Sequence, residues 1–132
     1  MQSKTVAEKL LIKPDTNFWS SPASSAQIVG PLPDTVHRVD RPELAVVALV
    51  VADDAASLRT ILAAHEGQWT APDKLWVAYP KGNRSDINRD TVWPILTEHG
   101  VRPNGQVSLD DTWSALRFRA NRPGEPPFTG GR

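Results

Sequence analysis

Two apolar runs, LAVVALVVA at 44–52 and LWVAYP at 75–80, constrain this chain more than anything else in it. Each is short, unbroken and rich in β-branched or aromatic residues, the pattern of a strand covered on both faces. Between them Asp53 or Asp54 can cap a helix, Leu58, Ile61, Leu62 and His65 recur at helical spacing, and Gly67 ends the element. A buried strand, a helix and a second buried strand make a βαβ unit, whose strands are parallel and whose crossover is right-handed. The expected class is α/β: a small three-layer Rossmann-like domain.

The flanking segments extend this unit in both directions. TVAEKLLI at 5–12 puts Val6, Ala7, Leu10 and Leu11 toward one helical face, and Lys13-Pro14-Asp15 stops it. Residues 16–20 and 36–40 are short strand candidates, the first a poor central strand because serines follow Phe18 and Trp19. A helix is expected within 86–99, burying Val92, Ile95, Leu96 and His99. Pro94 requires either that Thr91 caps a late-starting helix or that a longer helix is kinked. Val107 and Leu109 alternate before Asp110-Asp111, and Leu116 and Phe118 alternate after it, so a mostly parallel sheet should end in an antiparallel C-terminal hairpin. NRPGEPPFTGGR reads as a disordered tail, giving one domain over 1–120 and a tail over 121–132.

Composition narrows the function classes. A 132-residue chain suits one domain able to bury roughly two thirds of its unfolded surface. Cysteine is absent, which removes disulfide and thiolate chemistry. With no long apolar run and no signal-like segment, a cytoplasmic location without membrane contact is expected. The 15 basic and 15 acidic residues cancel, so no global field draws the chain to nucleic acid. Locally the balance tips: 7 basic against 9 acidic residues up to Pro80, then 8 against 6 from Lys81 onward.

Certain segments carry a resemblance. WVAYPKG at 76–82, INRDTVW at 87–93 and DDTWSALRFR at 110–119, with TVAEKLLIKP at 5–14 and GPLP at 30–33, resemble the hallmark segments of the domain of unknown function 3052 family, small bacterial proteins with no assigned activity. The resemblance implies a Rossmann-like fold similar to the later half of a methyltransferase core, and implies no catalytic residues. The polar FWSSP at 18–22 departs from the more apolar first strand of such relatives.

The candidate site follows the second apolar run. Ligands of open parallel sheets bind beyond the carboxyl ends of the strands, and PKGNRSDINRD places Lys81, Asn83, Arg84, Asn88 and Arg89 at such an end beside a helix start. Lys81 or Arg84 can pair with a phosphate or carboxylate. An exposed βα loop has the same composition, and Asp90 and Asn88 serve equally as cap or surface partners. Asp110 and Asp111 read as turn residues, since neighbours on an extended chain point apart.

Other chemistries are excluded by pattern. No GxGxxG follows the first strand candidate and Ser20 to Gly30 holds a single glycine, so the close backbone approach used by adenosine and dinucleotide cofactors is missing; no cofactor is expected. There is no P-loop, His37, His65 and His99 lack metal-ligand spacing, and Ser20, Ser21, Ser24 and Ser25 lack a nucleophile-elbow context. The reading is a non-catalytic Rossmann-like binding or regulatory module for a protein partner or small anionic ligand, with a homo-oligomer left open. Five tryptophans, more than so small a domain is expected to bury, favour an interface. The alternative is an enzyme acting on an anionic substrate at the loop after 75–80, a methyltransferase-like core without the glycine-rich cofactor loop.

Overall fold

The computed structural model describes residues 5–22, 24–126 and 128. Thr5 caps the first helix, α1 (Val6–Lys9), by a capping box in which its hydroxyl accepts from the Glu8 amide and Glu8 returns to the Thr5 amide. The helix ends before the Lys13-Pro14-Asp15 stop expected from sequence, because Leu11 takes a positive φ of 62°. There follow β1 (Asn17–Ser21), α2 (Ser25–Val29) and the two-residue β2 (His37–Arg38), and then β3 (Val47–Val51), α3 (Ala55–Ala64) and β4 (Lys74–Pro80). The chain closes with α4 (Arg89–Thr97), β5 (Val101–Ser108) and β6 (Trp113–Ala120).

One six-stranded sheet results, in the order β2-β1-β3-β4-β6-β5. β2, β1, β3 and β4 are mutually parallel, and β6 lies antiparallel between β4 and β5. The two apolar runs are adjacent parallel strands, with Leu49 opposite Trp76 and Val50 opposite Val77. Successive strand residues face opposite ways. Val77 accordingly joins the core beneath α3 and α4 with Leu58, Leu62, Ile95 and Leu96. Trp76 joins the core beneath α1 and α2 with Ala7, Leu10 and Val29. With Trp76 2% exposed and Val77 fully covered, β4 is sealed on both faces. The fold is a three-layer, Rossmann-like α/β domain with a mostly parallel sheet and antiparallel C-terminal strands.

Several boundaries differ from the sequence reading, each for a local reason. The first apolar run enters the sheet only at Val47: Pro42–Leu44 form a 3-10 turn, and Leu44 and Val46 are 45% and 43% exposed. Residues 16–20, read as a strand candidate poorly suited to the centre of a sheet, form β1, an interior strand whose Phe18 and Trp19 are buried on opposite faces. α4 does not start late behind Thr91; it is the longer helix, with Pro94 inside it. Asn88 caps it, accepting from the Asp90 and Thr91 amides at 2.8 and 3.2 Å, and Pro94 lies within the helix beyond its first turn. The carbonyl that loses its donor to Pro94 is that of Asp90; both residues are exposed, so water can serve it. Three of the five tryptophans, Trp19, Trp69 and Trp76, are buried and only Trp93 and Trp113 are half-covered, which weakens the argument from tryptophan number to an interface.

Residues 121–126 carry contacts that a disordered tail would lack; residues 127 and 129–132 lie outside the described set. Arg119 pairs with Glu125 at 2.7 Å and Arg102 joins it at 3.2 Å, so two β-strand cations grip one carboxylate. The Arg119 guanidinium holds Glu125 down to about 2, well under its ordinary 4.5, with help from the Arg122 amide.

Two outcomes follow. Truncating Val77 to Ala should cost about 1–3 kcal/mol in urea unfolding, because it opens a void in a face sealed by two helices. A depressed carboxylate pKa stabilises at pH above its unfolded value and loses that contribution as pH falls through its folded value. The Glu125 attachment should therefore be intact at neutral pH and weaken between about pH 4.5 and 2. A carbon-13 titration of the Glu125 carboxyl checks this, and an ordinary midpoint near 4.5 would show the clamp absent in solution.

Candidate functional site

From β1 the chain crosses to β2 on one side, while β3 lies on the other, so strand order reverses between β1 and β3. In open α/β sheets the crevice beyond the carboxyl ends at such a reversal is where ligands bind. A cavity of about 410 Å³ lies there, between Pro22 after β1, Asp53 and Asp54 after β3, and Ser57, Thr60 and Ile61 on α3. This feature was not legible from sequence, because the reversal point is a property of strand order. The Asp53-Asp54 pair directly after the apolar run was the available signal, and sequence reasoning took it only for a cap. Asp54 does cap α3, accepting from the Ser57 amide at 2.8 Å, and that bond lowers its carboxyl below the usual range. The crevice is acidic.

The five residues singled out from sequence do not line this crevice; all lie on the β4–α4 connection or the first turn of α4, and Arg89 lines a separate cavity with Trp93 and Leu116. This connection is a built structure. The Ser85 hydroxyl donates to the Asp53 carbonyl, and the Asp86 carboxylate accepts from the Ala55 amide at 2.8 Å, tying the loop to the start of α3. On its other side the Lys81 amide donates to the Thr112 carbonyl at 2.8 Å and the Lys81 ammonium reaches the Ser108 hydroxyl. Asn83 turns the chain with a φ of 55° and its carboxamide oxygen accepts from Asn88.

The five differ in how committed they are. Asn88 is the α4 cap, so its carboxamide oxygen and the first-turn amides already satisfy one another. Arg89 makes an exposed pair with Asp90 at 3.5 Å. Lys81 spends one of its three ammonium donors on Ser108. Arg84 is exposed and has no hydrogen bond or ion pair among the described residues. The loop thus presents Lys81 and Arg84 as its available cations, while both neighbouring helix starts are capped by side chains of the protein itself. Asp110 is a turn residue as expected, accepting from the Thr112 and Trp113 amides at 2.8 Å each.

The exit of β1 has its own hydrogen-bonded knot. Buried Ser25 donates to the Ser20 hydroxyl at 2.9 Å, and Arg38 at the end of β2 donates to the same oxygen at 3.3 Å. Gly30 comes only after α2, and a side chain added there would meet nothing within 4 Å.

No family model matches the chain, and no curated protein matches it. Solved structures do. A protein of the NADB-Rossmann superfamily from Streptococcus agalactiae aligns with a TM-score of 0.58 at 9% identity, covering 98% of this chain and 72% of that one. A Bacillus subtilis tRNA methyltransferase aligns at 0.53 and 12% identity, covering 92% and 67%. A ribosomal protein L11 methylase from Lactobacillus delbrueckii subsp. bulgaricus aligns at 0.52 and 9% identity, covering 89% and 75%. At these identities the likeness is one of fold. Among the described residues, no helix is long and apolar enough to cross a membrane.

Replacing Asn88 with Ala should lower stability by about 1 kcal/mol through loss of the α4 cap. Arg84→Ala should stay within about 0.5 kcal/mol of the parent, because an exposed, unpaired cation contributes little. Chemical denaturation of both variants checks the division, and equal losses would mean the loop is held by Arg84 as well.

Proposed function

We propose that the chain is an enzyme of methyltransferase-like build that acts on an anionic substrate at the carboxyl edge of the sheet, with Lys81 and Arg84 as the substrate-binding cations. The observation that carries this reading is the juxtaposition of the strand-reversal crevice with a cationic loop fastened to it through Ser85 and Asp86. A loop whose backbone is fastened beside a crevice can offer its cations to a charged substrate group, and holding such a group in place lowers the entropic part of a barrier. The segments resembling the domain of unknown function 3052 family support the same place. Residues 76–82 and 110–119 are joined there by the bond from the Lys81 amide to the Thr112 carbonyl, and 87–93 follows the same loop into α4. Membership of that family is part of the proposal.

Methyltransferases take a methyl group from S-adenosylmethionine, and the residues at the exit of β1 do not fit that cofactor. The knot of Ser20, Ser25 and Arg38 stands where a glycine-rich turn would let backbone approach an adenosine, and Gly30 forms no cradle. That glycine-free exit is also the observation favouring a second reading, a non-catalytic module for a small anionic ligand or protein partner.

Thermal unfolding with inorganic phosphate, pyrophosphate, succinate and S-adenosylmethionine tests the site. At a hundred times its dissociation constant, a bound anion should add about 2.7 kcal/mol, and the Lys81→Ala/Arg84→Ala double variant should lose that protection. S-adenosylmethionine should protect neither protein. An anion shift that survives the double variant, or none in the parent, would remove the loop as the binding site. Protection by S-adenosylmethionine would overturn the cofactor mismatch.

A further inference from the structure

A second cavity, of about 430 Å³, lies away from the strand-reversal crevice, on the sheet face that carries α1. Trp76 of β4, Arg117 of β6 and Gly105 and Val107 of β5 line its sheet side, and Lys9 and Leu11 line its helix side. The volume falls in the range of small-molecule sites, and such sites pair an apolar wall with a few placed polar groups. Leu11 and Val107 supply apolar walls here.

Arg117 is out of pattern. On β6 it alternates with Leu116 and Phe118, both buried in the core on the opposite face, and it shares its own face with buried Ala115. Its guanidinium lies 5.8 Å above the Trp76 ring, and its Nε donates to the Asn104 carboxamide at 3.1 Å. Among the described residues no carboxylate pairs with it and nothing accepts from its Nη1. The strand opposite makes room for it: a β-bulge at Pro103/Gly105 puts a glycine against the guanidinium, and a side chain at Gly105 would meet the Arg117 Nε at 3.4 Å. Lys9 adds a second cation, with one donor spent on the Leu109 carbonyl at 3.2 Å. Glu8 also lines the cavity, its carboxylate turned back to the Thr5 amide.

We infer that this cavity binds a small monocarboxylate with a short apolar body, the carboxylate on Arg117 and the body on Leu11 and Val107. Because Trp76 is covered by Arg117 and is 2% exposed, the apolar body packs on the aliphatic walls and does not stack on the indole.

Proton–nitrogen correlation spectra titrated with phenylacetate and hexanoate provide the test, with phenethyl alcohol and hexanol as uncharged counterparts. At least one carboxylate should shift the amides of Gly105, Val107 and Leu11, and neither alcohol should. Arg117→Met keeps the stem over Trp76 but removes the charge, and should weaken binding by at least about tenfold, the scale of a charge-assisted pair. The Arg84→Ala protein should bind as the parent does, which separates this cavity from the edge site. A melting curve confirms that each variant is folded. The inference fails if neither carboxylate shifts these amides at millimolar concentration, if the alcohols do so equally, or if folded Arg117→Met binds as the parent does.

Discussion

The burial of β4 on both faces is the constraint from which the rest of the structure follows. Trp76 and Val77 are neighbours in sequence and belong to opposite cores, so the strand can exist only with helices above and below it. Its register with β3 fixes where α3 begins, and its register with β6 fixes where the C-terminal turn falls. Both registers end at the same edge. Asp53, the 81–88 loop and Thr112 are brought into hydrogen-bonding reach there because three strands stop or start at one level.

The loop shows how a fold of this kind leaves charge available. Helix starts attract anions through unpaired amides, but here the protein answers that demand with Asp54, Asp86 and Asn88. The cations that remain available on this loop are the side chains of Lys81 and Arg84.

Much of this was legible in the chain before its fold was known. The paired apolar runs specify β3, α3 and β4 because a continuous β-branched pattern has few other uses, and the alternation around Asp110-Asp111 specifies the antiparallel end. Strand boundaries were less legible: hydropathy alone cannot tell that β3 begins at Val47 with Leu44 and Val46 exposed, since the 3-10 turn from Pro42 decides it. β1 was legible as a strand but not as an interior one, because Ser20 and Ser21 look like loop, while burial of Ser25 and its bond to Ser20 appears only once α2 is in place. The loop cations could be named from sequence. The crevice beside them, Arg117 over Trp76 and the Glu125 clamp join residues distant in sequence or depend on strand order, and local pattern does not record them.

The central claim is that the loop after β4 receives an anion, and residue-level mapping tests it most directly. Proton–nitrogen correlation spectra of the parent protein titrated with pyrophosphate should show saturable shifts concentrated at the amides of Gly82, Asn83, Arg84 and Ser85, with smaller ones at Asp53 and Thr112 to which the loop is tied. Saturable shifts confined to other parts of the sheet edge, or a spectrum unchanged at these amides, would contradict the account.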